Sequence, residues 1–183
     1  MKNLTVAITP NPNAKILLTD RTLIGGNEYL ELISEEDIVE STPELCAILI
    51  GLPYVRRVFV MNNFVTVVKS AAAKWDAIEP ELRECVEKHL DGFDFVHSVY
   101  SPSPVHDDAG IRQVIDSYLA PAIAVDGGGI RFHSFDSITG ILTVTVLGSC
   151  HGCPSLVNTL QRGIKPMITE LFPEVTDVVR LLE

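Results

Sequence analysis

The sequence lacks several features that mark common classes of protein. No uncharged hydrophobic run is long enough to cross a membrane, and the start from Met1 to Pro10 is too short and too soon broken by proline for a signal peptide. No basic stripe is present: 24 acidic residues outnumber 14 basic ones, and the formal net charge is −10. We therefore expect neither a membrane nor a nucleic acid as a partner.

Cysteine is also scarce. The chain has four cysteines, of which only the last two are closely spaced: Cys46, Cys85, Cys150 and Cys153. Secreted domains stapled by disulfides carry a much denser set. We therefore expect a reducing, cytoplasmic location.

What the sequence does have is enough apolar residues to build a core. Its 183 residues, 46% of them hydrophobic, fit one domain or two small ones. The run Ser101-Pro102-Ser103-Pro104 favours extended backbone and offers few core contacts, so it indicates a linker. We expect an α+β protein with an N-terminal domain at 1–91, a linker at 92–105 and a C-terminal domain at 106–183.

Periodicity predicts the elements of each domain. In the first, it predicts helices that begin near Thr42 and Ser70 and strands at 4–8, 15–18, 55–60 and 64–69. Pro80 should bend or delay the second helix, and the acidic run at 35–37 is assigned to a solvated surface. The second domain is expected to run helix, two strands, helix and strand, with Pro121 ending its first helix.

The chemistry is concentrated in Gly148-Ser149-Cys150-His151-Gly152-Cys153-Pro154. The two thiols are three positions apart with Gly152 between them, so both can turn toward one metal centre. The motif falls between a predicted strand and a predicted helix. Backbone N–H groups and the positive end of a helix dipole favour thiolate there, the form that binds metal or attacks as a nucleophile.

Three uses of such a pair remain open from the residues alone. Thioredoxin-like enzymes, zinc proteins and iron–sulfur proteins all contain two cysteines at this spacing. A thioredoxin-type pair should follow the first strand of a βαβ unit, whereas this pair follows a late hairpin. A structural zinc needs four ligands, and His133 and His151 lack the usual paired spacing. A [4Fe–4S] cluster needs four thiolates, which two chains related by a twofold axis can supply.

Several further motifs stand in an order that resembles the NifU-like (Nfu-type) iron–sulfur cluster scaffold and carrier proteins. In the C-terminal half they are Asp126-Gly127-Gly128, the cysteine motif, Thr159-Leu160, Gly163-Ile164 and Pro173-Glu174-Val175. In the N-terminal half they are Thr9-Pro10-Asn11-Pro12-Asn13 and the run at 64–69 with Trp75 behind it. The resemblance covers nearly the whole chain outside the linker.

The resemblance implies a function and a site. It assigns cofactor binding and metal ligation to Cys150 and Cys153, which would hold a [4Fe–4S] cluster bridging two subunits of a homodimer. The cluster would come from the assembly machinery and pass to apo iron–sulfur proteins, so the protein would not be an enzyme. Cys46 and Cys85 fall on apolar helical stripes and are expected to be structural. The alternatives are a dithiol–disulfide oxidoreductase and a zinc-binding interaction module.

Overall fold

The computed structural model describes residues 4–94 and 108–181 of the chain. It divides into two compact units, Met1–Ser101 and Pro102–Glu183, each built from a sheet and helices. The predicted α+β class with two domains is confirmed. Most of the predicted linker lies outside the described residues, and its limits stay predictions. Within the described ranges, no helix has the length and apolar character to span a bilayer.

The N-terminal domain is built on one antiparallel sheet of five strands. Their spatial order is β1 (Thr5–Ile8), β2 (Ala14–Leu18), β5 (Phe64–Lys69), β4 (Val55–Asn62) and β3 (Ile24–Leu32). The helices are α1 (Glu44–Ile50), α2 (Trp75–His89) and two short 3₁₀ turns (Glu35–Asp37 and Leu90–Gly92). Alternate residues of the central strands meet the apolar stripes of α1 and α2 in the core. The buried side chains include Val58, Val60, Val65, Val67, Leu45, Leu49, Leu82 and Val86.

Turn chemistry explains much of this domain. Asn62 has a φ of 50° at the β4–β5 connection, the left-handed conformation that asparagine tolerates. Residue Pro80 lies inside α2, and the helix begins at Trp75, later than the predicted start near Ser70.

Strand β3 was missed by the sequence analysis. Its pairing with β4 is irregular between Ile24 and Tyr29, where the Gly25-Gly26-Asn27 run interrupts any alternating pattern.

The C-terminal domain has a sheet of three strands in the order β6 (Gly128–Asp136), β7 (Ile141–Gly148) and β8 (Asp177–Arg180). Strands β6 and β7 form an antiparallel hairpin, and β8 lies parallel to β7. The predicted order of helix, two strands, helix and strand is confirmed. The segment between β7 and β8 contains the cysteine motif and a helix, as a parallel connection requires.

Two helical segments complete this domain, and each contains a π-helical stretch. The first comprises α3 (Ala109–Val114), a π segment (Ile115–Leu119) and α4 (Ala120–Ala124); the second comprises α5 (Leu156–Asn158), a π segment (Thr159–Ile164) and α6 (Lys165–Leu171).

The prediction that Pro121 ends the first helix is wrong. Proline cannot donate to the carbonyl four residues back. A π segment, in which bonds run from residue i to i+5, ends just before Pro121 and just before Pro166. The helices therefore absorb both prolines and continue.

Cys46 occupies the interior of the N-terminal domain with none of its surface exposed, and burial raises the pKa of its thiol to about 12. We expect Cys46→Ala to lower the free energy of unfolding of this domain by about 1–2 kcal/mol, because it leaves a small cavity. Trp75, the single tryptophan, reports that transition by fluorescence in urea. Iron content after reconstitution should not change, and a loss of iron from a folded Cys46→Ala protein would contradict the structural role.

Candidate metal centre

A series of tight turns carries the cysteine pair. Strand β7 ends at Gly148, and the next helix begins at Leu156. Between them, the N–H of Cys150 donates to the Leu147 oxygen (3.3 Å), and the N–H of Cys153 donates to the Cys150 oxygen (3.2 Å). Both thiols are free and half-buried, at the edge of the C-terminal core. The predicted strand-to-helix turn is present, and both thiols belong to it.

Gly152 permits the bend between the two cysteines. Its φ is +73°, a region that residues with a Cβ adopt at a cost, and a Cβ added there would meet nothing within 4 Å. The glycine is therefore required by backbone conformation and not by a close neighbour. This agrees with the role predicted for it, a bend that lets both thiols turn toward one centre.

The turn before β6 holds the cysteine turn in place. The Ser149 side chain is buried, and its hydroxyl donates to the carbonyl oxygen of Asp126 at 2.6 Å. The Ser149 N–H also donates to the Gly127 oxygen at 3.1 Å. Gly128 and Gly148 face each other in the β6–β7 ladder. The two turns are thus joined as one unit, a connection that sequence reasoning missed.

Gly128 brings the backbone of β6 directly against Cys150. A Cβ at this position would overlap the Cys150 sulfur and would lie 3.2 Å from both the Cβ and the backbone nitrogen of Cys150. No side chain larger than hydrogen fits there without moving the cysteine. Gly128 is therefore needed for the close approach of the two segments.

The electrostatic setting of Cys150 differs from the expectation. Burial raises the pKa of the Cys150 thiol to about 12, and the negative charges of Cys153 and Asp126 add to the rise. A hydrogen bond from the Gly129 backbone opposes it.

The expected lowering of the Cys150 pKa is therefore wrong. The helical segment that follows the turn starts at Leu156, six residues after Cys150, so its dipole does not offset the burial of this thiol. In the metal-free protein, Cys150 is protonated at neutral pH, and a protonated thiol is a poor nucleophile.

Cys153 has a different polar neighbour. Its sulfur lies 3.0 Å from the hydroxyl oxygen of Ser155, which is exposed. Ser155 occupies the N-cap position of α5, where a serine side chain ordinarily accepts a hydrogen bond from the helix backbone. Here it makes no such bond. Its hydroxyl is oriented to the thiol instead.

Apart from His151, which stands between the two cysteines, the remaining thiols and imidazoles of the described residues belong to other elements. Cys46 is fully buried and Cys85 is half-buried against the N-terminal core, where burial raises its pKa. His133 is exposed at the irregularity in β6, and His89 lies 3.8 Å from Glu44. Residues His97 and His106 fall outside the described ranges. Across residues 4–94 and 108–181, no cluster of three or more histidine, cysteine, aspartate or glutamate side chains is arranged to hold a metal ion.

These features define a class: a two-domain α+β protein with a partly exposed dithiol on a strand-to-helix turn. Two family descriptions match it, the NifU-like domain at residues 111–179 and the scaffold protein Nfu/NifU N-terminal domain at residues 4–92. The chain belongs to the NifU-like family of iron–sulfur cluster scaffold proteins.

Individual relatives agree with this assignment. A NifU-like protein of Schizosaccharomyces pombe is 30% identical over 96% of this chain and 71% of its own length. A mitochondrial NFU1 iron-sulfur cluster scaffold homolog of Drosophila persimilis is 29% identical over 96% of this chain and 64% of its own length. The chain thus spans about two thirds of the relatives it matches. A crystal structure of a Staphylococcus aureus protein is 20% identical and covers 46% of this chain and 98% of its own, with a TM-score of 0.41, too low to inform the fold.

Proposed function

We propose that this protein binds a [4Fe–4S] cluster through Cys150 and Cys153 of two subunits and passes it to apo-proteins. One observation carries the proposal: both thiols lie on one turn and neither is fully buried. A [4Fe–4S] cluster takes four thiolates, and this turn offers two. A second copy related by a twofold axis supplies the remaining two.

Surface chemistry near the turn supports a subunit contact. Val125 precedes the turn that holds Ser149, and 78% of its surface is exposed. Val157 follows Ser155 by two residues and is 65% exposed. Apolar side chains at both flanks of the dithiol favour a contact that buries them when two copies meet. Bridging ligands would then complete the contact.

The carrier role follows from the same exposure. A cluster held by one short turn in each subunit is open to competing thiolates, which suits a protein that must give it up. The protein would turn over no substrate, and the cluster itself is its cargo, received from the assembly machinery. The free thiols fit a reducing compartment, and the proposed location is the cytoplasm. Several relatives are named as mitochondrial.

Metal loading and assembly state test the proposal together. We expect the apo-protein to sediment mainly as a monomer at low concentration. Anaerobic reconstitution with iron and sulfide should give a brown dimer with four irons for every two chains, because a ligand shared between subunits stabilises only the associated state. Sedimentation with iron and acid-labile sulfide counted per chain measures both.

Other outcomes point elsewhere. A reconstituted monomer with four irons would contradict the shared site. Zinc without sulfide would indicate the interaction module, and a redox-active disulfide without iron would indicate the oxidoreductase. The loaded dimer should also activate an apo [4Fe–4S] enzyme faster than free iron and sulfide do. Retention of the cluster beside an inactive recipient would contradict transfer.

A further inference from the structure

The two thiols of the turn have unequal surroundings. Cys150 is pressed against Gly128, receives a hydrogen bond from the Gly129 backbone and follows the buried Ser149. Cys153 is held by the outer part of the turn, and its polar neighbour is the exposed hydroxyl of Ser155 at 3.0 Å. One sulfur is therefore fixed by backbone on two elements. The other packs at the edge of the core and has the Ser155 hydroxyl as its polar neighbour.

The direction of the hydrogen bond between Cys153 and Ser155 is set by chemistry. A thiolate has no hydrogen to give, so Ser155 must be the donor whenever Cys153 binds iron or leaves it. A hydrogen bond to a charged acceptor is stronger than one to a neutral acceptor. The bond therefore stabilises the departing thiolate, which carries more negative charge, more than the iron-bound one.

We propose that Ser155 makes Cys153 the ligand that is released first when the cluster leaves this protein. The inference rests on the proposed function. It gives a role to the Ser155 hydroxyl, which would otherwise be expected to cap the helix. This hydroxyl orients the Cys153 sulfur and stabilises it as it leaves the iron. Hydrogen bonds to cysteine sulfurs also raise the reduction potential of iron–sulfur clusters. Ser155 should accordingly affect both the rate of release and the potential.

The exchange step balances without any change of oxidation state. A cysteine thiolate of the recipient forms a bond to one iron, and the bond between that iron and the Cys153 sulfur breaks. Cys153 keeps the electron pair, stabilised by the Ser155 hydroxyl, and later takes a proton from water. Cys150 remains bound until the recipient has gained its first ligand.

A comparison of four proteins tests this role: wild type, Ser155→Ala, Ser155→Thr and Ser137→Ala. The alanine variant removes the hydroxyl, the threonine variant restores it, and Ser137 is an exposed serine at the opposite end of the β6–β7 hairpin. The backbone oxygen of Ser155, which accepts from Thr159, is unaffected by substitution. Each protein is loaded anaerobically and its iron and sulfide are counted. Transfer to an apo-ferredoxin with four free cysteines is then followed.

We expect Ser155→Ala to load fully but release the cluster about fivefold more slowly, the effect of one hydrogen bond. Its reduction potential should fall below that of wild type. Ser155→Thr and Ser137→Ala should match wild type in both measurements. Wild-type rate and potential in Ser155→Ala, or failure of threonine to restore them, would overturn the inference. Failure of wild type itself to bind iron and sulfide would overturn the proposed function and this inference with it.

Discussion

Cys150→Ala protein should contain only background iron and sulfide after anaerobic reconstitution. In a cluster shared by two identical subunits, one substitution removes two of the four thiolates. The remaining two Cys153 sulfurs cannot complete the coordination. The fold should survive, because the turn lies at the edge of the core and the side chain is only half-buried. Iron and sulfide analysis, with circular dichroism as the test of folding, measures the result.

The matched control for this variant is Cys85→Ala. Cys85 is also half-buried and also free, yet it packs against the N-terminal core. Its removal should leave the iron content unchanged. Full cluster occupancy in a folded Cys150→Ala protein would remove the ligand assignment altogether. Loss of iron in Cys85→Ala but not in Cys150→Ala would indicate a metal site in the N-terminal domain instead.

Gly128→Ala should abolish cluster loading without touching a ligand. The new methyl group would overlap the Cys150 sulfur and crowd its backbone nitrogen at 3.2 Å, so rotation of the side chain alone cannot relieve the contact. Overpacking of this kind costs about 1–3 kcal/mol. Displacement of a ligand by about 1 Å is enough to spoil a metal site. Iron per chain and urea unfolding followed by circular dichroism give the two readouts.

Gly163→Ala provides the comparison for this second variant. A Cβ at Gly163 meets nothing within 4 Å, and the residue lies in a helix of the same domain. This protein should load like wild type and unfold at the same or a higher urea concentration, because alanine favours a helix more than glycine does. Trp75 fluorescence in the N-terminal domain should show the same transition in both variants. Normal loading of Gly128→Ala would show that the close approach is not needed for the site.

The sequence predicted most of the fold because its signals are local. The β-branched run of β5, the alternation in β7 and the apolar stripe of α2 are each contained within a single element. Strand β3 escaped because its pairing with β4 is irregular at Gly25-Gly26-Asn27, so neither period 2 nor period 3.6 is visible. This strand depends on its pairing with β4. The sequence of β3 alone does not show which distant strand it will pair with.

The same division applies to the site. Cys150 and Cys153 are recognisable from spacing, and Gly152 from the bend that the spacing requires. The contact between Gly128 and Cys150 joins residues 22 positions apart, and only the hairpin register brings them together. The role of Ser155 is hidden for another reason. A serine before a helix predicts a cap, and only the observed contact shows that its hydroxyl meets sulfur.

The π segments give a physical meaning to a spacing in the C-terminal sequence. Apolar residues recur every fourth position in both helical segments: Ile111, Ile115, Leu119 and Ile123, and then Leu156, Leu160, Ile164 and Ile168. In a regular α-helix with 3.6 residues per turn, each step of four advances the side chain by about 40°. Four such residues would wind away from the sheet. Yet all of them pack against the core.

A π turn contains more residues than an α turn, so it rotates the chain less for each residue. Inserted in the middle of the segment, it turns the stripe back and so offsets much of the forward turn of the α-helical parts. The repeat of four therefore stays on the side of the helix that faces the core. Each proline follows the end of a π segment by two residues. In both segments of this domain, the four-residue apolar repeat, a π segment and a proline before the last apolar residue occur together.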